Sequence, residues 1–256
     1  MNITDTHIHL YAEEYDIDRE ALILQAKKAG VNRFYLPNID STSINSMLQL
    51  EVKYPDVCFP MMGLHPCYVK DNFQEELNTV EEWLGKRTFK AIGEIGIDLY
   101  WDKTFIKEQE IAFKKQIEWA HHYHLPIVIH SRNSFDEVYA LLIEMQACKP
   151  WGIFHCFSGT IEQAKKVIDL GFYIGIGGVV TYKNSGLDKV VAEIDLKHLV
   201  LETDGPYLAP TPFRGKRNLP EYILKVAERI AEIKNISVEE VAMTTSQNAD
   251  SVFIQP

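Results

Sequence analysis

Eight short apolar runs, each followed by a segment of helical character, constrain this chain more than any other feature. The runs cover 2–6, 31–37, 57–66, 89–98, 125–131, 151–157, 172–178 and 198–204. Most are continuous rather than alternating, the pattern of parallel strands buried on both faces. The intervening segments read as helices. Leu22, Ala26 and Ala29 share one stripe that stops at Gly30, and 104–123 contains neither Gly nor Pro. Ser134 with Glu137, Thr160 with Gln163 and Ser237 with Glu240 have the spacing of capping boxes. The stretch 181–197 is the weakest helix, and a Pro-rich loop at 205–220 precedes two further helical segments. Eight β-α units in 256 residues predict an α/β protein, a (β/α)8 TIM barrel forming a single domain over 1–256. A doubly wound open sheet would need a Gly-rich phosphate loop after its first strand. That place holds His7 and His9 instead, and G-I-G-G at 175–178 lacks the dinucleotide spacing, reading as room for tight packing of the seventh strand.

The informative pattern is where polar residues interrupt these runs. The first run ends in Asp5, His7 and His9, the third in His65, and the fourth in Glu94 followed by Asp98. The fifth ends in His130, the sixth in His155, and the eighth in Glu202 and Asp204. In an extended chain residues i and i+2 point the same way, so His7 and His9 aim two imidazoles at one point. In a barrel all these ends meet at one mouth. Five of the nine histidines lie there, while His121, His122, His124 and His198 read as helix-end or surface residues. Burying so many ionisable groups unpaired costs several kcal/mol each, a cost that divalent cations offset. Mixed His and carboxylate donors suit zinc, manganese or iron, and magnesium with added waters. Six candidate ligands exceed the needs of one tetrahedral ion, so two ions are expected, with Glu94 on the fourth strand placed to bridge them.

Composition narrows the class. An apolar content of 46% with 24% charged residues is ordinary for a globular protein. The four cysteines form no C-x-x-C pair, and the start M-N-I-T-D has no signal-peptide character. No run reaches the ~18 apolar residues of a membrane span. A cytoplasmic protein with reduced thiols, no membrane association and no stable protein partner is expected. The net charge of -10 disfavours broad binding to polyanions but permits a phosphate held locally.

With those residues in view, the chain resembles the TatD family of metal-dependent deoxyribonucleases within the amidohydrolase superfamily. The matching stretches are D-T-H-I-H-L at 5–10, G-L-H-P at 63–66 and A-I-G-E-I-G-I-D at 91–98. They continue with P-I-V-I-H-S-R at 126–132, H-C-F-S-G at 155–159, E-T-D-G-P-Y-L-A-P at 202–210 and R-N-L-P at 217–220. The resemblance implies two divalent ions (zinc, magnesium or manganese), one on His7, His9, Glu94 and Asp204, the other on Glu94, His130 and His155. It implies a DNA substrate whose phosphodiester bonds are hydrolysed by a metal-activated water, as a 3′–5′ exonuclease on single strands. Glu94, Asp204 and His65 are the expected catalytic residues: Asp204 orients or deprotonates the water, and His65 stabilises charge on phosphoryl oxygens. Candidate phosphate contacts are His65, Arg132, Arg214 and Arg217. Trp101, Tyr207 and Phe213 have the chemistry to stack on a base but read more readily as packing against the barrel top, and Asp5 reads as a partner that fixes a histidine tautomer. The rival readings are a carbon-ester or amide hydrolase, such as a D-aminoacyl-tRNA deacylase, and a silent metal-binding protein.

Overall fold

The computed structural model describes residues 1–254; the end of the expected domain, 255–256, lies outside the described residues. Strands and helices alternate throughout: β1 (Ile3–Asp5), α1 (Arg19–Lys28), β2 (Val31–Leu36), α2 (Ile44–Lys53), β3 (Cys58–Pro60), α3 (Phe73–Lys86), β4 (Ile92–Asp98) and α4 (Ile106–Tyr123). They continue through β5 (Ile127–Arg132), α5 (Phe135–Glu144), β6 (Gly152–Phe154), α6 (Ile161–Asp169), β7 (Tyr173–Ile176), α7 (Leu187–Glu193), β8 (Leu199–Leu201), α8 (Ile223–Lys234) and α9 (Val238–Phe253). All strand pairs are parallel and sequential, in ladders β1-β2-β3 and β4-β5-β6-β7-β8. The two seams are held by point contacts instead of ladders. Met62 bridges to Ile92 beside β4, and the Thr6 N–H and hydroxyl both donate to the Leu201 carbonyl at 3.0 Å. This is the expected (β/α)8 TIM barrel, stitched lightly between β3 and β4 and between β8 and β1.

Side-chain parity divides the core into two layers. Phe34, Leu36, Ile127, Ile129, Phe154, Leu199 and Leu201 join the layer under the helices. Their neighbours of opposite parity, Tyr35, Val128, Ile153 and Val200, join Met61 and Ala91 in a second cluster inside the barrel. Ala249, Val252 and Phe253 of α9 belong to that inner cluster, and the Phe253 ring stacks on Tyr35 at 3.7 Å. The last helix therefore stoppers the barrel on the N-terminal side of the strands. Two residues further along the same parity stand His130 above Val128, His155 above Ile153, and Glu202 above Val200.

Several ladders are shorter than the apolar runs. The run 57–66 yields only Cys58–Pro60, although Met61, Met62 and Leu64 beyond it are buried. At the mouth side chains remain packed while the backbone leaves the ladder, so hydrophobicity overestimates strand length. Thr160 and Gln163 form the expected capping box, and Ser237 accepts from the Glu240 N–H at 3.1 Å. Ser134 does not cap α5; its hydroxyl donates to the Ile97 carbonyl at 2.6 Å, tying α5 to β4. Among the described residues no helix is long and apolar enough to cross a membrane.

Candidate metal centre

A cavity of about 720 Å³ opens where the strands end, lined by His9, His65, Glu94, His130, His155 and Asp204 among others. Glu94 stands at its base because β4 is irregular there. Gly93 pairs with Val128 and Ile95 with Ile129, so Glu94 is an extra residue, the bulge geometry that redirects a side chain. Its carboxylate, 2% exposed, faces two groups of histidines. Oε2 lies 3.1 Å from His7 Nε2 and 3.9 Å from His9 Nε2. Oε1 lies 2.7 Å from His130 Nδ1, 3.4 Å from His65 Nε2 and 3.6 Å from His155 Nε2. Asp204, left-handed at φ 58° where the chain turns away from β8, places Oδ1 3.7 Å from both His9 Nε2 and His155 Nε2. Among the described residues five donor sets have ligand atoms within 4.8 Å of one another, and three of them contain no cysteine: His7, His9 and Glu94; Glu94, His130 and His155; and His7, His155 and Asp204.

Surrounding residues decide which face of each imidazole the cavity meets. The Tyr11 hydroxyl donates to the Pro37 carbonyl at 2.5 Å and lies 3.0 Å from His9 Nδ1. Its proton is committed, so His9 Nδ1 is the donor and Nε2 presents a lone pair. Asp98 Oδ2 holds His130 Nε2 at 2.8 Å, so the ring turns Nδ1 to Glu94 Oε1 at 2.7 Å. Glu202 Oε1 lies 3.1 Å from His155 Nδ1 in an ionic contact and accepts the Cys156 N–H at 2.6 Å. Gly175 makes room for Glu202: a Cβ there would press on its carboxylate and sit 3.2 Å from His155 Cα. His65 is the opposite case. Its Nδ1 accepts from the Cys67 N–H at 3.0 Å, so its proton sits on Nε2, aimed into the cavity. His9 thus turns a lone pair to the cavity and His65 an N–H, while the carboxylates of Asp98 and Glu202 orient His130 and His155 from behind.

His7 tests whether a metal fits. It is completely buried, and neither ring nitrogen has a hydrogen-bond partner. Such an orphaned group costs about 1–3 kcal/mol, a cost that a cation shared with His9 and Glu94 removes. Ionisation divides the groups of the cavity. Burial and the neighbouring His155 hold His7 well below the usual imidazole range, and burial lowers His9 to about 4. Burial favours a protonated Glu94, but the surrounding imidazoles, His65 first, outweigh it and hold the carboxyl far below its usual range. Burial lowers His155 too, yet the carboxylates of Glu202, Glu94 and Asp204 overcome it and lift the ring to about 10. Burial, reinforced by Glu94 and Glu202, raises Asp204 to about 7. The residues present fit divalent ions.

Of the expected phosphate contacts, His65 and Arg132 line the cavity. Arg217 does not: its guanidinium grips Asp18 through two bonds of 3.0 and 2.5 Å and reaches the Glu14 carbonyl, which holds it away from the cavity. Arg214 lies over the Tyr182 ring at 4.4 Å, also outside the lining. Asp5 orients no imidazole. It accepts the His7 backbone N–H at 3.2 Å and the Thr203 N–H and hydroxyl at 3.1 and 2.6 Å, tying the first loop to the last. Phe213 packs as expected, stacked on Tyr222 at 4.0 Å, whereas Trp101 and Tyr207 stand 68% and 49% exposed. Sequence reasoning missed Tyr11 altogether, and it noted Asp98 and Glu202 at the rim without a role.

The sequence pattern of a family described as TatD related DNase matches residues 4–254. The chain is 41% identical over 250 residues to YabD of Bacillus subtilis, an uncharacterized metal-dependent hydrolase, covering 97% of this chain and 98% of that protein. It is 31% identical over 255 residues to YjjV of Escherichia coli, likewise an uncharacterized metal-dependent hydrolase, covering 98% of each. The crystal structure of YjjV, a TatD homologue, matches with a TM-score of 0.93 at 30% identity, over 99% of this chain and 98% of that one. A TatD-family hydrolase from Entamoeba histolytica shares the fold, with a TM-score of 0.84 at 21% identity over 99% and 98% of the chains. The chain belongs to the TatD-related DNase family of metal-dependent hydrolases.

Proposed function

We propose that the protein hydrolyses phosphodiester bonds of DNA, acting from the 3′ end of single strands. The observation that carries the reading is Glu94. Its two oxygens face separate histidine groups, with Asp204 touching both, which is the arrangement of a two-ion hydrolase. His7, His9, Glu94 and Asp204 would hold one divalent ion and Glu94, His130 and His155 a second; the nitrogen-rich set favours zinc or manganese over magnesium. When bound, the pair lowers the pKa of water and neutralises charge on the attacking and leaving oxygens.

The chain's own groups supply the rest. Asp204, 13% exposed at the cavity floor, orients the attacking water and accepts its proton. His65 donates its Nε2 proton to a phosphoryl oxygen as charge develops there. Arg132, at the cavity wall, neutralises a neighbouring phosphate. The four cysteines are all free, in keeping with action in the cytoplasm.

Replacing Glu94 with Ala tests the reading through two measurements, metal content and degradation of end-labelled single-stranded DNA. Loss of bound metal together with a fall in rate of at least about 100-fold is expected. Full activity in the variant would sink it. A D-aminoacyl ester of tRNA offered beside the DNA separates the two ester classes, since faster turnover of the aminoacyl ester favours a deacylase.

A further inference from the structure

The rim of the cavity carries chemistry that the metal centre does not use. Among the described residues the exposed aromatic side chains are Tyr68, Tyr100, Trp101 and Tyr207. Tyr68, Trp101 and Tyr207 line the cavity, and Tyr100 packs edge-on against Trp101 at 4.9 Å. Exposed apolar surface gathered at one place marks a binding site, whereas scattered residues do not. The rim also carries a cation without a counter-ion. Arg132 follows His130 by two residues on the same face of β5, and among the described residues its side chain forms no ion pair or hydrogen bond. Its guanidinium lies over the Tyr100 ring at 4.2 Å and near the Trp101 ring at 5.6 Å. Stacking of this kind fixes the guanidinium plane while leaving its N–H donors free for an anion.

The shelf is locked to the metal centre. Asp98, 1% exposed, accepts the N–H groups of Tyr100 and Trp101 at 2.9 and 3.0 Å through Oδ1, and holds His130 Nε2 through Oδ2. One buried carboxylate therefore sets the distance between the indole and the cavity floor.

We propose that Arg132 and Trp101 form a nucleotide shelf: the guanidinium takes a phosphate and the open indole face stacks on the base attached to it. The assignment rests on the phosphodiester reading above and names the residues that make the substrate a nucleotide rather than any phosphate ester. Stacking is indifferent to base identity, so the shelf selects for a base without selecting its sequence.

The test is calorimetric binding to the manganese-loaded protein, with thymidine 5′-monophosphate, ribose 5-phosphate and inorganic phosphate as probes. The wild-type protein is expected to bind the nucleotide roughly 5- to 100-fold more tightly than the sugar phosphate. Trp101→Ala should abolish that preference while leaving inorganic phosphate affinity within about twofold, and Trp101→Phe should retain part of it. Arg132→Gln should weaken all three probes alike. Bound manganese and the circular dichroism spectrum report that each variant is folded and loaded. Equal wild-type affinity for nucleotide and sugar phosphate, survival of the preference in Trp101→Ala, or unchanged phosphate binding in Arg132→Gln each overturns the proposal. No turnover is measured, so the two readings fail separately. A protein that prefers the nucleotide but cleaves no DNA refutes the hydrolytic reading alone, and one that cleaves DNA with no such preference refutes the shelf alone.

Discussion

Removing one oxygen atom, in Tyr11→Phe, should weaken one metal position and spare the other. The Tyr11 ring is 6% exposed and Phe fills the same space, so the change opens no significant cavity. It deletes a hydroxyl bonded to the Pro37 carbonyl and to His9 Nδ1. Two buried polar groups lose their partner, for about 1–3 kcal/mol of stability. The larger consequence is at His9, whose proton is held on Nδ1 only because the hydroxyl proton is committed to Pro37. Without that partner the ring is free to carry its proton on Nε2, the atom 3.7 Å from Asp204 Oδ1 and 3.9 Å from Glu94 Oε2. Loss of such an orienting partner typically costs 10- to 100-fold in metal affinity, or about 1.4–2.7 kcal/mol. Zinc titration of the metal-free protein against a chromophoric chelator reads this directly. One binding step is expected to weaken by about 10- to 100-fold, while the step assigned to Glu94, His130 and His155 stays within about threefold. A variant that loses stability but binds zinc as tightly as wild type in both steps would refute the argument, leaving the hydroxyl a purely structural role.

Two further outcomes follow from the ties around the site. Burial pushes the Asp5 carboxyl up to about 8, although the Thr203 hydroxyl and N–H and the His7 N–H oppose the shift. A carboxyl raised in the folded state stabilises fully only below its unfolded pKa near 3.8, and that stability is lost as pH rises through the folded value. Asp5→Asn keeps the shape and cannot ionise, so it should gain on wild type by about 3 kcal/mol between pH 5 and pH 8, within a factor of two; urea midpoints of the metal-free proteins that differ by a pH-independent amount would exclude this. Arg217→Ala should cost about 1 kcal/mol by freeing Asp18 and the loop at Glu14, yet leave DNA turnover within about twofold; a large rise in KM would return Arg217 to the substrate path.

The barrel and the convergence of the candidate ligands at its mouth were legible for the same reason. Parallel strands read as apolar runs, and within each run the inward parity that supplies Val128, Ile153 and Val200 to the barrel interior continues two residues later as His130, His155 and Glu202. A polar residue at the end of an apolar run is thus also a residue at the mouth, and the sequence carries both facts at once. What escaped depends on contacts that no local pattern encodes. Arg132 and Arg217 are equally basic in sequence; one is satisfied by Asp18, 199 residues away, and the other meets only aromatic rings. Tyr11 is an ordinary core residue until Pro37, 26 residues on, takes its proton. Trp101 is as apolar as any core residue, and its exposure follows from Asp98 binding the backbone of the next turn and holding the indole off the barrel top. Candidate ligands are therefore read from strand periodicity, because a metal needs many donors converging from elements whose ends already converge. The residues that set a candidate ligand's tautomer, and those proposed to present a base to the site, act through single long-range contacts. Their roles become visible only when the fold brings Asp98 against His130, and Tyr11 against His9 and the Pro37 carbonyl.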